Sequence, residues 1–162
     1  MRIWIILLIS LTLSSCGFQL RDTYQLPASL QTYYLDAPEF SEFAEVVTER
    51  FELAGATRLD TINQQPSPVV IQILDDGLDR RALSLSASGQ VAEYELIYSV
   101  AYVLHKSDGT VLAPRSVEVY RDYQDDPNFA LAKTREREVL VREMRDDAAR
   151  ALLRQIIATL AE

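Results

Sequence analysis

The sequence predicts an α+β fold in which two helices pack on one face of a mostly antiparallel sheet. Two stretches, one beginning near residue 38 and one reaching residue 160, carry apolar residues at helical spacing. The residues between them alternate as strands do and contain an Asp-Gly turn. The resulting order of strand, helix, a run of strands and a final helix suits a sheet covered on one side by helices.

Thr32 to Leu35, with two tyrosines and a threonine, reads as a short strand. Asp36-Ala37-Pro38-Glu39 then offers an acidic cap and a proline for a first helical turn. From Pro38 to Ala54, Phe40, Phe43, Ala44, Val47, Phe51 and Ala54 fall on one face, and Glu42, Glu45, Glu49 and Glu52 on the other. Gly55 is a natural stop. The glutamate row could bind a cation or a basic partner, but a solvated helix surface accounts for it. Residues 60–68 read as a loop, and Val69 to Leu74 as an apolar, β-branched strand. Asp75-Asp76-Gly77 lacks the further oxygen ligands and spacing of a calcium loop and is expected to be a turn. Arg80 and Arg81 follow, and β pattern resumes from Ala82 to Ala87.

After a turn at Ser88-Gly89-Gln90 comes the strongest strand signal, Val91 to Lys106. Tyr94, Leu96, Tyr98, Val100, Tyr102 and Leu104 take one face; Glu93, Glu95, Ile97, Ser99, Ala101 and Val103 take the other. Such a strand would span ~50 Å at ~3.3 Å per residue, so a bulge or an early end is expected. Ser107-Asp108-Gly109-Thr110 is a hairpin turn. The return strand runs from about Val117 to Tyr123, with Pro114 marking a bulge or edge. Asp125-Asp126-Pro127 closes the sheet region. The last helix, from Phe129 or Lys133 to Leu160, buries Leu140, Val141, Met144, Ala148, Ala151, Leu152 and Ile156, with charged residues opposite.

The N-terminal residues are of another kind. Arg2 precedes an apolar run from Ile3 to Leu13, the charged-then-apolar layout of an export signal. The run is about half the ~20 residues that cross a membrane. Leu13-Ser14-Ser15-Cys16 resembles the lipobox of bacterial lipoproteins, which implies cleavage before Cys16 and acylation of that cysteine, palmitate being one such chain. Several acyl chains hold where one holds only marginally. Cys16 is the only cysteine, so no internal disulfide is possible. Among lipoproteins, aspartate after the cysteine favours the inner membrane; Gly17 stands there and points to the outer one. The expected organisation is a signal peptide over 1–15, a lipidated tether over 16–30 and one α+β domain over 31–162.

Cleavage would leave 147 of the 162 residues, enough for one core. The formal net charge of −8 becomes −9 once Arg2 is removed, which argues against nucleic acid as a partner. Catalysis has little support. His105 is the only histidine, and none of the 5 glycines sits in a phosphate loop. No cofactor or metal is expected. The informative charge is basic: Lys133, Arg135 and Arg137 cluster at the start of the last helix, with Arg115 and Arg121 on the preceding hairpin. Arg and Lys side chains hold phosphate or carboxylate by charge-assisted hydrogen bonds. From composition alone, a solvated helix start balanced by Glu136 and Glu138 is the simpler account.

Four segments carry a resemblance. Cys16 to Asp22 resembles the mature start of the LPS-assembly lipoproteins of the LptE family; so do Gly89 to Tyr94, Phe129 to Lys133, and Val141 to Met144 with Asp147-Ala148-Ala149, in the same order. The resemblance implies a non-enzymatic outer-membrane lipoprotein on the periplasmic side. It would plug the lumen of the LptD β-barrel, support that barrel's assembly and contact lipopolysaccharide on its way to the surface. It implies two helices on a four-stranded sheet. Lys133 matches a basic position that binds lipopolysaccharide in the family. A second basic position falls on Ala87, so half of that site is missing, with Arg80, Arg81 and Arg115 as the candidates to replace it. No function is expected of a polar tail after the last helix. The competing readings are a free-standing periplasmic lipoprotein binding an anionic or lipidic ligand, and an enzyme using paired carboxylates.

Overall fold

The computed structural model describes residues 25–63, 67–87 and 89–161; the expected signal peptide, Cys16 and Gly17 lie outside the described residues. The strands are β1 (Thr32–Asp36), β2 (Thr57–Arg58), β3 (Val69–Leu85), β4 (Val91–His105) and β5 (Arg115–Gln124). The α-helices are α1 (Glu42–Leu53) and α2 (Ala130–Leu160). Short 3-10 turns cover Ala28–Leu30 and Pro127–Phe129. The sheet order is β2-β1-β3-β4-β5. β1 runs parallel to β2 and to β3, whereas β3, β4 and β5 form an antiparallel meander.

The sheet is therefore five-stranded and mixed, not four-stranded and mostly antiparallel. The chain leaves β1 through α1 before reaching its neighbours, and such a crossover brings the next strand back parallel. β2 has two residues, both exposed, too few to show a period.

Two further expectations change. α1 starts later than Pro38. Asp36 ends β1, and the Ser41 side chain caps the helix by accepting from the Ala44 N–H at 3.1 Å. Phe40 precedes that cap with φ 61° and is 97% exposed, so it leaves the buried face. Asp75-Asp76-Gly77 is no turn, because β3 runs straight through it beside β4. A bulge absorbs the irregularity: Ile73 pairs with Tyr102 and Asp75 with Ala101, leaving Leu74 as the extra residue. The bulges expected of the long hairpin thus exist, at Ile73/Asp75 and twice near Ser84, while β4 itself keeps 15 residues.

Both helices cover the same face. Phe43 of α1 meets Tyr98 with ring centroids 6.0 Å apart, and Gln155 of α2 accepts from the Tyr102 hydroxyl at 3.0 Å. Tyr98 and Tyr102 alternate onto one side of β4. Tyr33 meets Phe51 at 5.0 Å. Around them Ile71, Ile73, Leu96, Val100, Leu104, Val117, Met144, Leu152 and Ile156 form the core, joined by Ala149 and Leu153. Leu30 is fully buried and Leu26 packs against the core, so the stretch expected as tether meets the fold before residue 31. Asp146 of α2 pairs with Arg50 of α1, and Arg145 with Glu42, which ties the helices at their charged flanks.

Coverage stops part-way along the hairpin. β1 pairs with β3 only as far as Gln72, so from Asp75 onward β3 has β4 as its one neighbour among the described residues. Leu74, Leu78, Leu83 and Leu85 are exposed there. The 3-10 turn ending at Phe129 and the first turns of α2 lie at this end, with Phe129, Leu131 and Val139 exposed.

Candidate functional site

The site is built where β4, β5 and α2 converge. Tyr94 and Tyr123 are paired residues of adjacent antiparallel strands and so share a face. The Tyr123 hydroxyl donates to the Lys133 backbone carbonyl at 3.0 Å, which fastens the first turn of α2 to the end of β5. Asp126 begins that transition by accepting from the Asn128 N–H at 2.9 Å.

Lys133 rises from this junction. Its Nζ lies 5.5 Å from the centroid of the Tyr123 ring and 2.8 Å from a Glu136 carboxylate oxygen. The hydrogen bond to Glu136 raises the Lys133 pKa, so the ammonium stays charged. Burial raises the Tyr123 pKa, so its phenol stays neutral and donates. Arg137, one helical turn further on, lines the same groove as Lys133. The groove has a volume of about 190 Å³ and is floored by Tyr94, Leu96 and Tyr123. Arg80, Asp125, Ala130 and Thr134 complete it.

Arg80 enters through strand parity. It stands opposite the buried Leu96 and therefore faces the helices, whereas Arg81 stands opposite Glu95 and faces away, bonded to it at 2.5 Å. The Leu74 bulge makes that choice. Ile71 and Ile73 face the core; unbroken alternation would have carried Arg81 inward. With one extra residue the inward positions become Asp76, Leu78 and Arg80. Arg80 then lies over the Tyr94 ring, 5.1 Å from its centroid.

The other candidates go elsewhere. Ala87 is exposed in the hairpin turn. Arg115 opposes Tyr102 and donates to the Thr159 hydroxyl at 2.8 Å, eight residues along β5 from Tyr123 and so ~26 Å away. Arg121 is paired with Asp147. Arg135 is exposed and does not line the groove. Of the three residues considered in place of Ala87, the structure brings only Arg80 to Lys133. Tyr94 and Tyr123 escaped the reading as site residues because their meeting depends on a strand register that no local motif encodes.

Two acids beside the groove are occupied. Glu93 accepts from the Ser84 hydroxyl at 2.9 Å and from the Gln124 amide at 3.2 Å, and Glu136 accepts from Lys133. Among the described residues there is no group of three or more His, Cys, Asp or Glu side chains placed to hold a metal. No described helix is long and apolar enough to cross a membrane.

A family model described as "LptE: Lipopolysaccharide-assembly" matches residues 30–156. The LPS-assembly lipoprotein LptE of Pectobacterium atrosepticum is 34% identical over 146 residues, covering 89% of this chain and 78% of that one. The LPS-assembly lipoprotein LptE of Yersinia enterocolitica is 33% identical over 153 residues, covering 93% and 72%. Among solved structures, the rare lipoprotein B from Shewanella oneidensis superposes with a TM-score of 0.71 at 39% identity, covering 80% of this chain and 96% of that one. Lipoprotein B from Nitrosomonas europaea gives a TM-score of 0.73 at 30% identity, covering 90% and 93%.

Proposed function

Because the chain belongs to the LptE family of lipopolysaccharide-assembly lipoproteins, we propose that it works as a plug inside the LptD β-barrel of the outer membrane, with Lys133 touching lipopolysaccharide in transit. Membership makes it a non-enzymatic, membrane-associated lipoprotein of the cell envelope with a role in lipopolysaccharide assembly. The finer reading assigns residues 1–15 to a removed signal peptide, Cys16 to lipid attachment, and the residues from 31 on to the domain that fills the barrel lumen. It also gives the plug a part in assembling that barrel.

One observation carries the reading: the family match runs through both helices and the whole meander, so the unit shared with the relatives is the packing surface itself and not a single motif. A plug acts by shape and surface complementarity and needs no enclosed site. The groove at Lys133 agrees with that. It is open along exposed residues of α2, whereas a free-standing carrier of a lipidic ligand calls for an enclosed apolar pocket.

The test has two arms. Affinity capture of the full chain from detergent-solubilised outer membranes is expected to bring down LptD; recovery of the chain alone, under conditions that keep other barrel complexes intact, overturns the plug. Lys133→Glu is expected to weaken lipopolysaccharide binding without lowering the melting temperature. Unchanged binding by the folded variant overturns the role of Lys133.

A further inference from the structure

We propose that Phe40 and the groove beside it, between the start of α1 and the α1-facing side of α2, dock a loop of the barrel partner that offers an apolar recess next to a carboxylate. The proposal rests on the plug reading and names a surface by which the plug is held.

The backbone of Phe40 is the first argument. The Ser41 N–H donates to the Pro38 carbonyl at 3.3 Å and closes a turn in which Phe40 is the third residue. Its φ of 61° lies in the left-handed region, which glycine enters freely and a bulky side chain does not. The ring carried on this strained backbone is 97% exposed. A phenylalanine here costs the isolated chain twice, in conformation and in apolar surface left in water. Leu53, at the other end of α1, is also exposed, but it sits in regular helix and carries no such strain. Strain kept at an exposed aromatic ring marks a side chain held out for a partner, and such rings anchor protein interfaces.

The groove indicates the chemistry of that partner. It has a volume of about 380 Å³ and is lined by Glu42, Arg137, Glu138, Val141, Arg142 and Arg145. Glu42 stands two residues after Phe40, so ring and groove are neighbours. Only Arg137 is common to this groove and the one at Lys133. Arg145 is paired with Glu42 and lies over the Tyr98 ring at 5.9 Å. Arg137 and Arg142 take part in no ion pair among the described residues, and Glu138 is the remaining acid of the lining. The groove therefore keeps a net positive charge next to the apolar Val141, which suits a carboxylate beside an apolar side chain. A lipid surface fits less well. Phe40 is a single ring flanked by Glu39 and Glu42, which anionic headgroups repel.

The experiment co-produces the full chain with tagged LptD and measures how fast the chain leaves the captured complex in detergent. Phe40→Gly is expected to raise the melting temperature of the chain, because glycine relieves the φ of 61°. The same variant is expected to leave LptD about tenfold faster, the scale of a lost aromatic anchor. A purely structural role would move stability and binding in the same direction. Arg142→Glu is expected to speed dissociation about as much with no change in melting temperature, and Leu53→Ala to leave dissociation unchanged. A photoreactive phenylalanine analogue at position 40 is expected to crosslink to LptD. If Phe40→Gly and Arg142→Glu dissociate at the wild-type rate, the present proposal falls and the plug reading stands. If LptD does not capture the wild-type chain at all, the underlying reading falls with it. Crosslinks from position 40 confined to lipid, or to a second copy of the chain, overturn the assignment to the barrel. An equal loss from Leu53→Ala overturns the role of Phe40 as a distinct anchor.

Discussion

Ile71 and Arg80 stand on the same face of the same strand, nine positions apart. Ile71 is fully buried under the helices, and Arg80 lies open over a tyrosine ring. Nothing in strand geometry separates them; the cover does. At the Ile71 end, β1 extends the sheet, α1 packs Phe43 and Phe51 onto it, and the later turns of α2 add Met144, Leu152 and Ile156. At the Arg80 end there is no β1, and α2 presents Lys133 and Arg137 in place of leucines. The same hairpin and the same helix thus serve as core at one end and as a charged groove at the other. Stability is concentrated where the layers close, which leaves the open end free to carry residues chosen for a ligand.

Phe51→Ala offers the strongest challenge to this division. It removes a fully buried ring at the closed end and is expected to cost about 3–5 kcal/mol in urea unfolding. A loss below about 1 kcal/mol would mean that the closed end is not where stability resides. Alkaline unfolding is next in size. Burial pushes the Tyr33 hydroxyl up to about 12 from its ordinary 10. Between those values the unfolded chain gives up the proton first. The contribution is therefore complete below pH 10 and is lost as pH rises toward 12. Tyr98 and Tyr102 are raised by burial in the same direction and share in the loss. Tyr33→Phe keeps the ring against Phe51 and is expected to make the fall of melting temperature above pH 10 shallower; an unaltered slope refutes the assignment. The smallest effect belongs to the open end, where Leu85→Ala, at a residue 65% exposed, is expected to change stability by less than about 0.5 kcal/mol. A larger loss would show that the outer hairpin is packed against something and would erase the contrast.

Much of the closed end was legible. The period-two alternation of Tyr94 to Leu104 gives the inner face of β4, and all but Tyr94 are buried there. Asp108-Gly109 turns as expected, with Gly109 at φ 85° and the Asp108 side chain accepting from the Thr110 N–H at 2.8 Å. Gly55, at φ 96°, ends the α1 region. The helical stripe through Met144, Ala148, Leu152 and Ile156 is buried, and Ala149 and Leu153 widen it. These signals are local, and period alone carries them. What failed is long-range or decided by a single residue. The parallel pairing of β1 with β3 has no local signature. Ser41 caps α1 better than Asp36, because it stands directly before the amphipathic run. In the candidate site, Lys133 and Arg137 are one turn apart on a helix, so their proximity could be read directly. Arg80 could not be separated from Arg81 or Arg115, since its direction depends on the Leu74 bulge and on the register with β4.

That bulge makes the chemistry of the groove a matter of count. From Asp75 to Ala82, every inward position is set by whether the number of residues since Ile73 is odd or even. Losing Leu74 would restore unbroken pairing and leave Arg80 inward opposite Leu96, whereas one residue added between Leu74 and Arg80, with the single bulge kept, would send Arg80 outward. Along this stretch an insertion is thus a more drastic edit than a deletion, which the bulge can absorb. Chains that carry the same residues with a different spacing would present a different wall to the same ligand. Aligning such chains by residue type, without counting, would match side chains that point in opposite directions.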